Sequence, residues 1–167
     1  MPDRRLQGPD WPDRTVRTLQ LLLSKVSEMT SPAVSGLNHV TLAVRDLAQS
    51  FSFYRDVLGF APRARWSKGA YLTSGPLWLA LIADPKRQTK ATDYSHFALS
   101  VSKQDFEPVR AKIIAAGVSE WSENRSEGAS YYFCDPEGHQ LEIHVGDIHS
   151  RLAAMRANQW EPIEFFD

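Results

Sequence analysis

"HVTLAV" at residues 39–44 returns as "HFALSV" at residues 96–101, and both read His-x-x-Leu-x-Val. Two strand-like runs with an imidazole at the same place point to an internal duplication. The segment after each run repeats as well. Leu47, Phe51, Tyr54, Val57 and Leu58 recur at helical spacing and stop at Gly59; Phe106, Val109, Ile113 and Ile114 do the same and stop at Gly117. The runs "RARW", "GAYLTS" and "LWLALI" then complete the first copy. "VSEWSEN", "ASYYFCD" and "QLEIHVG" complete the second, with the turn signals "SGP" and "DPEGH" between runs. Each copy reads as βαβββ, a small sheet that cannot cover both of its faces alone. The expected fold is therefore α+β: two βαβββ repeats, at about 36–85 and about 94–146, forming curved sheets around a cleft, with a C-terminal segment at 147–167.

Composition narrows the function. The chain has 167 residues and a formal net charge of −1, with 19 Lys and Arg against 20 Asp and Glu. No global field invites nucleic acid or an acidic membrane, so any anion site rests on local arginines. Apolar runs are far shorter than the ~20 residues of a membrane span. Cys134 is the single cysteine, which excludes an intrachain disulfide and a Cys-based zinc site and suits a reducing cytoplasm. Residues 1–35 differ from the rest. "MPDRRLQGPDWPDR" reads as disordered, and Val16, Leu19, Leu22, Leu23 and Val26 are spaced for a short amphipathic helix. The apolar stretch "LQLLL" is too short for a signal peptide. Two readings stand: a functional extension, or a start at Met29 with the upstream segment idle.

His39 and His96 hold the same repeat position, so a pseudo-twofold between the halves would bring both into one cleft. A third ligand is available in "QLEIHV", where Leu141, Ile143 and Val145 share one face and Glu142 and His144 the other. A carboxylate on such a strand is costly to bury without a cation. "LWLALI", the matching strand of the first half, has no ligand-type residue. Two His and one Glu leave coordination positions open, as catalytic sites do, and N/O ligation suits Mn²⁺, Fe²⁺ or Zn²⁺. The competing reading is two satisfied core histidines. His144 reads as an alternative ligand, a partner behind the ligand shell, or a rim residue, the last two being favoured; His139 and His149 read as exposed. Thr41 shares the face of His39. Tyr71 and Tyr132 are candidate site tyrosines, with Tyr131 the core member of its pair. "ENRSEGAS", 123–130, sets Ser126, Glu127 and Ser130 around Gly128, which reads either as an oxygen cage for a hard cation or as a solvated hairpin loop. Arg125 and Arg151 match an anionic substrate or the ordinary surface.

The segments "LNHVTLAV", "FYRDVLGF", "RARWSKGAYL", "LWLAL", "NRSEGAS", "YFCDPEGHQLEIHVG" and "FFD" resemble the FosA-type fosfomycin thiol transferases of the vicinal-oxygen-chelate superfamily. The likeness runs from about Leu37 to Asp167. It implies a homodimer in which His39 of one chain meets His96 and Glu142 of the other around Mn²⁺. It implies K⁺ in the loop of Asn124, Ser126, Glu127, Gly128 and Ser130. Thr41, Ser126, Tyr132 and Arg151 match residues that hold the phosphonate, and Tyr71 one that contacts the thiol. Trp66, Trp78 and Arg125 match residues lining the drug pocket or the glutathione channel. The implied catalytic set is thus Thr41, Tyr71, Tyr132 and Arg151, and the implied reaction adds glutathione to the epoxide of fosfomycin. Ser122 departs from the pattern, standing where family members commonly carry a lysine, and implies weaker phosphonate or glutathione binding or a shifted thiol preference. The alternatives are an epoxide hydrolase or extradiol dioxygenase on the same fold, or a non-catalytic drug-binding protein.

Overall fold

Alternation builds the first strand. In β1, His39–Val44, Leu42 and Val44 are buried and Val40 half-buried, while His39 and Thr41 stand exposed on the other face. Leu37, expected to add apolar mass, is 76% exposed, because strand pairing begins only at His39. The computed structural model describes residues 34, 36–88, 93–125, 127–158 and 163–166. The chain divides into units at Met1–Leu37 and Asn38–Asp167, and all the described helices and strands belong to the second. The expected N-terminal helix, Met29 and Ser126 lie outside the described residues.

The helix after β1 begins as α1, Leu47–Ser52, with the Asp46 carboxylate accepting from the Gln49 N–H at 2.9 Å. It widens into a π-helical turn over Phe53–Val57. That wider turn lets Phe51, Phe53 and Tyr54 all face inward, more than a 3.6-residue period allows. Gly59, at φ +74, ends it in a conformation that suits glycine. Strands β2 (Ala61–Trp66), β3 (Gly69–Ser74) and β4 (Leu77–Ala83) come next. The second repeat runs β5 (Phe97–Ser100), α2 (Phe106–Ala115), β6 (Glu120–Ser122), β7 (Ser130–Cys134) and β8 (Gln140–His144). The sheets are ordered β1-β4-β3-β2 and β5-β8-β7-β6. In each, the first strand lies parallel to the last and the other pairs are antiparallel. The duplication seen in the sequence is thus a duplication of topology.

A third helix, α3 (Ile148–Ala157), occupies the C-terminal segment, where periodicity predicts no element. No residue of it is buried, so it carries no strong apolar stripe. Its signal is local: Asp147 and Ser150 form a reciprocal capping box.

One apolar cluster joins the repeats. Leu42, Val44, Tyr54, Leu72, Leu79 and Leu81 meet Ile113, Phe133, Leu141 and Ile143. Each such aliphatic or Phe side chain contributes about 2 kcal/mol on burial. Beside the cluster, the "DPEGH" turn supplies two buried acids. The Glu137 carboxylate, 3% exposed, accepts from the Asp46 N–H at 2.8 Å and from Arg45 Nε at 3.3 Å, while Arg87 donates to the Glu137 carbonyl. The turn is therefore a clasp between repeats. His139, expected on the surface, is only 15% exposed at its side chain and bonds through Nδ1 to Asp135 Oδ2 at 2.7 Å.

Burial pushes the Glu137 carboxyl up, but the Asp46 and Arg45 N–H groups and the Arg45 guanidinium outweigh it and hold it below the usual range. A lowered folded-state value gives stability that is present above the unfolded value, near about 4.3, and lost as pH falls through the folded one. Glu137→Gln is therefore expected to flatten the acid limb of a urea-midpoint series between neutrality and strong acid. An acid limb as steep as the wild type's refutes this.

Candidate metal and substrate site

Register places the polar residues in rows. Across the second sheet, Ala98, Glu142, Tyr132 and Ser122 are successive cross-strand neighbours. Across the first, the matching row is Thr41, Ala80, Tyr71 and Ala64. Tyr71 and Tyr132 are thus repeat equivalents. Ala80 occupies the place of Glu142, which is why only the second sheet offers a carboxylate.

Glu142 is buried, and its Oε2 lies 3.1 Å from His96 Nε2. The other nitrogen of that ring, Nδ1, donates to the Tyr94 carbonyl at 2.9 Å, so in the neutral imidazole Nε2 is the nitrogen that carries the lone pair. Two lone-pair donors 3.1 Å apart have the spacing of adjacent ligands on a divalent ion with bonds of about 2.1 Å. Glu142 Oε1 is buried and accepts no hydrogen bond among the described residues. The pair therefore fits a metal better than it fits a finished hydrogen-bond network. Tyr94, Trp121 and Tyr132 stand at 5.2, 5.2 and 5.8 Å from the His96 ring, and Trp121 Nε1 donates to the Leu141 carbonyl at 3.0 Å. This aromatic collar fixes the imidazole.

His39 lies on the other sheet. Its Nδ1 is 2.8 Å from Asn38 Oδ1 and its ring lies tilted against Trp78, with centroids 4.6 Å apart. Trp78, Tyr71 and Trp66 continue as an aromatic row with centroids 5.1 and 4.9 Å apart. Among the described residues, no three His, Cys, Asp or Glu side chains of one chain form a metal-binding set. Within the single chain, His39 therefore stands apart from the His96–Glu142 pair. Leu42 and Val44 from β1 and Leu141 and Ile143 from β8 fill the shared core, so alternation turns His39 and Glu142 to the opposite faces of their sheets.

The loop at 123–130 is not simply solvated. Asn124 Nδ2 donates to the Gly128 carbonyl at 3.1 Å, the Val145 N–H donates to the Ala129 carbonyl at 2.9 Å, and Ser130 Oγ bonds His144 Nδ1 at 2.7 Å. Gly128, at φ +74, is pressed against the Val145 carbonyl so closely that a Cβ would collide with it. Glu127 holds Arg151 through one oxygen, and its Oε1 is buried without a hydrogen bond among the described residues. Arg125, Arg151 and Tyr132 line a cavity of about 240 Å³ with Tyr94, Ser122 and Glu123. Thr41, Tyr71, Trp66 and Trp78 remain with His39 on the first sheet. Sequence reasoning misses Tyr94 and Trp121, although a tyrosine two residues before the histidine and a tryptophan in a short strand were the available signals.

A family model described as Glyoxalase/Bleomycin resistance protein/Dioxygenase superfamily matches residues 36–143. The chain is 47% identical over 135 residues to the glutathione transferase FosA of Serratia marcescens, covering 79% of this chain and 96% of that protein. It is 36% identical over 126 residues to the metallothiol transferase FosB of Shouchella clausii, covering 72% and 86%. A variant of the fosfomycin resistance protein FosX of Listeria monocytogenes, solved with Mn(II) and 1S,2S-dihydroxypropylphosphonic acid, superposes with a TM-score of 0.64 at 27% identity, over 72% of this chain and 98% of that one. The matched fold, the His96–Glu142 pair and these identities lead to one assignment: the chain belongs to the Glyoxalase/Bleomycin resistance protein/Dioxygenase superfamily and, within it, to the family of the FosA and FosB thiol transferases.

Proposed function

We propose that this protein is a metal-dependent glutathione transferase that inactivates fosfomycin by opening its epoxide. The observation that carries the reading is the His96–Glu142 pair, with its unsatisfied carboxylate oxygen, beside a cavity bearing Arg125, Arg151 and Tyr132. The 47% identity to a glutathione transferase selects the thiol over water as co-substrate. His96 and Glu142 are two of three ligands, and His39 of a second copy is the third. The exposed face carrying His39, Thr41, Trp78, Tyr71 and Trp66 then closes over the paired chain's cavity in a homodimer. Mn²⁺ is the favoured metal, since the FosX relative was solved with Mn(II). K⁺ is the favoured occupant of the loop of Asn124, Ser126, Glu127, Gly128 and Ser130, where the free Glu127 oxygen needs a cation.

Held by His96, Glu142 and His39 of a second copy, a divalent ion would supply Lewis acidity to the opening of the epoxide. Arg151, Tyr132, Thr41 and Ser126 bind and orient the phosphonate. Tyr71 hydrogen-bonds the incoming sulfur, and Trp66, Trp78 and Arg125 wall the approach and exclude water. One S–C bond forms, one C–O bond breaks, and the thiol proton ends on the ring oxygen. No protein nucleophile is needed, so Cys134 stays free, as it does in the reducing cytoplasm where glutathione is kept as the thiol.

The test is to incubate the protein with Mn²⁺, K⁺, fosfomycin and glutathione and weigh the product. The expected product has the summed mass of the two substrates, and its rate rises with K⁺. A diol formed regardless of glutathione assigns a hydrolase instead, and unchanged fosfomycin at every divalent metal overturns the reading.

A further inference from the structure

We infer that His144 is a positioning residue that ties the loop at 123–130 to the Glu142 carboxylate, so that loop and metal ligand act as one unit. The inference rests on the reading of Glu142 as a metal ligand. The His144 side chain is 15% exposed, and its Nδ1 is hydrogen-bonded to Ser130 Oγ at 2.7 Å. The same nitrogen lies 3.4 Å from Glu142 Oε1, and Nε2 lies 3.9 Å from Glu127 Oε1. Those two carboxylate oxygens are the buried acidic atoms that accept no hydrogen bond among the described residues, and both face this one ring. Their partner oxygens are already engaged, Glu142 Oε2 with His96 and Glu127 Oε2 with Arg151. An unbroken line of groups therefore runs from His96 through Glu142, His144 and Glu127 to Arg151.

The backbone is shaped to hold this ring. Register sets Ser130 opposite His144 on the neighbouring strand, two residues along from the Tyr132–Glu142 pair and on the same face. Gly146, at φ +150, leaves room that a Cβ would take, since it would stand 2.7 Å from His144 Nε2. Gly128, at φ +74, lies against the other edge, where a Cβ would be 3.6 Å from Cε1. Gly146 thus leaves the space that the imidazole fills, while Gly128 allows the close approach of the loop to the Val145 carbonyl. With Nδ1 engaged by Ser130, the ring is not itself a ligand but a spacer between two acids. It fixes the rotation of the Glu142 carboxylate and so keeps Oε2, the oxygen beside His96 Nε2, directed where a metal would be held. Groups behind a ligand typically set metal affinity by about 10–100-fold.

The contacts predict which replacement works. Asparagine carries an amide nitrogen close to where Nδ1 stands; glutamine carries one close to Nε2. Mn²⁺ affinity of the dialysed, substrate-free protein, read by electron paramagnetic resonance of the unbound ion, is the measurement. His144→Ala is expected to weaken Mn²⁺ by about 10–100-fold. His144→Asn is expected to recover most of that affinity, and His144→Gln to stay near the alanine level. Should the alanine variant fail to fold, the Asn and Gln variants carry the comparison. Mn²⁺ affinity unchanged in the variants overturns the inference, and so does equal loss in Asn and Gln. A wild-type protein that binds no Mn²⁺ overturns the metal reading itself, which is a distinct result.

Discussion

Glu142→Gln is expected to slow glutathione addition to fosfomycin by at least about a thousandfold while leaving the thermal midpoint of the metal-free protein unchanged or higher. A metal's charge stabilisation is worth several kcal/mol, and each ~1.4 kcal/mol is tenfold in rate. The stability half of the prediction comes from burial. Glu142 is 5% exposed, with one oxygen against His96 and one unsatisfied. Without a cation that arrangement is unfavourable, and an amide of the same shape removes the buried charge. Loss of activity together with a large drop in melting temperature would make Glu142 a structural residue. The companion experiment separates the two chains. His39→Ala is expected to be inactive for the same reason. Mixing the two inactive proteins under subunit exchange leaves one intact site in each heterodimer, so about a quarter of wild-type sites return. No recovery on mixing means that His39 does not complete the partner's site.

Much of this was legible because it is periodic. The matched His-x-x-Leu-x-Val runs, the glycine stops and the strand count gave both sheets, since each rests on local alternation and turn chemistry. Glu142 was legible as a carboxylate on the inner face of a strand flanked by Leu141 and Ile143. Where His39 stands relative to His96 was not legible from the strands, and only the family resemblance spoke to it. Whether His39 and His96 converge in one chain depends on which faces the shared core consumes, and that is a property of packing rather than of either strand. The π-helical turn at Phe53–Val57 and helix α3 escaped for related reasons. The turn is chosen by tertiary burial of Phe53 and Tyr54, and α3 buries no residue. "DPEGH" reads as a turn signal, which it is, but its acids look solvated. Nothing in five residues shows that Asp135 and Glu137 are received by Tyr54, Arg45 and Asp46, which lie some 80 to 90 positions away.

Asp135→Ala is expected to destabilise the protein by about 3–5 kcal/mol. Asp135 is 3% exposed and accepts four hydrogen bonds: Tyr54 Oη–H at 2.9 Å, His139 Nδ1–H at 2.7 Å, and the N–H groups of Glu137 and His139 at 2.9 and 2.8 Å. Alanine removes the acceptor of all four donors, two of which, Tyr54 Oη–H and the Glu137 N–H, lie in buried bonds. Burial, and then the Asp135 charge, push the Tyr54 phenol well up, so it remains a donor throughout the accessible range. Tyr54→Phe removes one donor of four and is expected to cost about 1–2 kcal/mol. In a domain of this size the alanine variant should melt roughly 10 °C lower. A drop of only a degree or two would mean that the turn is held by the apolar cluster alone. The consequence reaches the site through the chain itself. The turn anchored by Asp135 leads directly into Gln140–His144, the strand that carries Glu142 and His144. At temperatures where Asp135→Ala is still folded, its Mn²⁺ affinity should therefore weaken, and that of Tyr54→Phe should weaken less, in the order of their melting points.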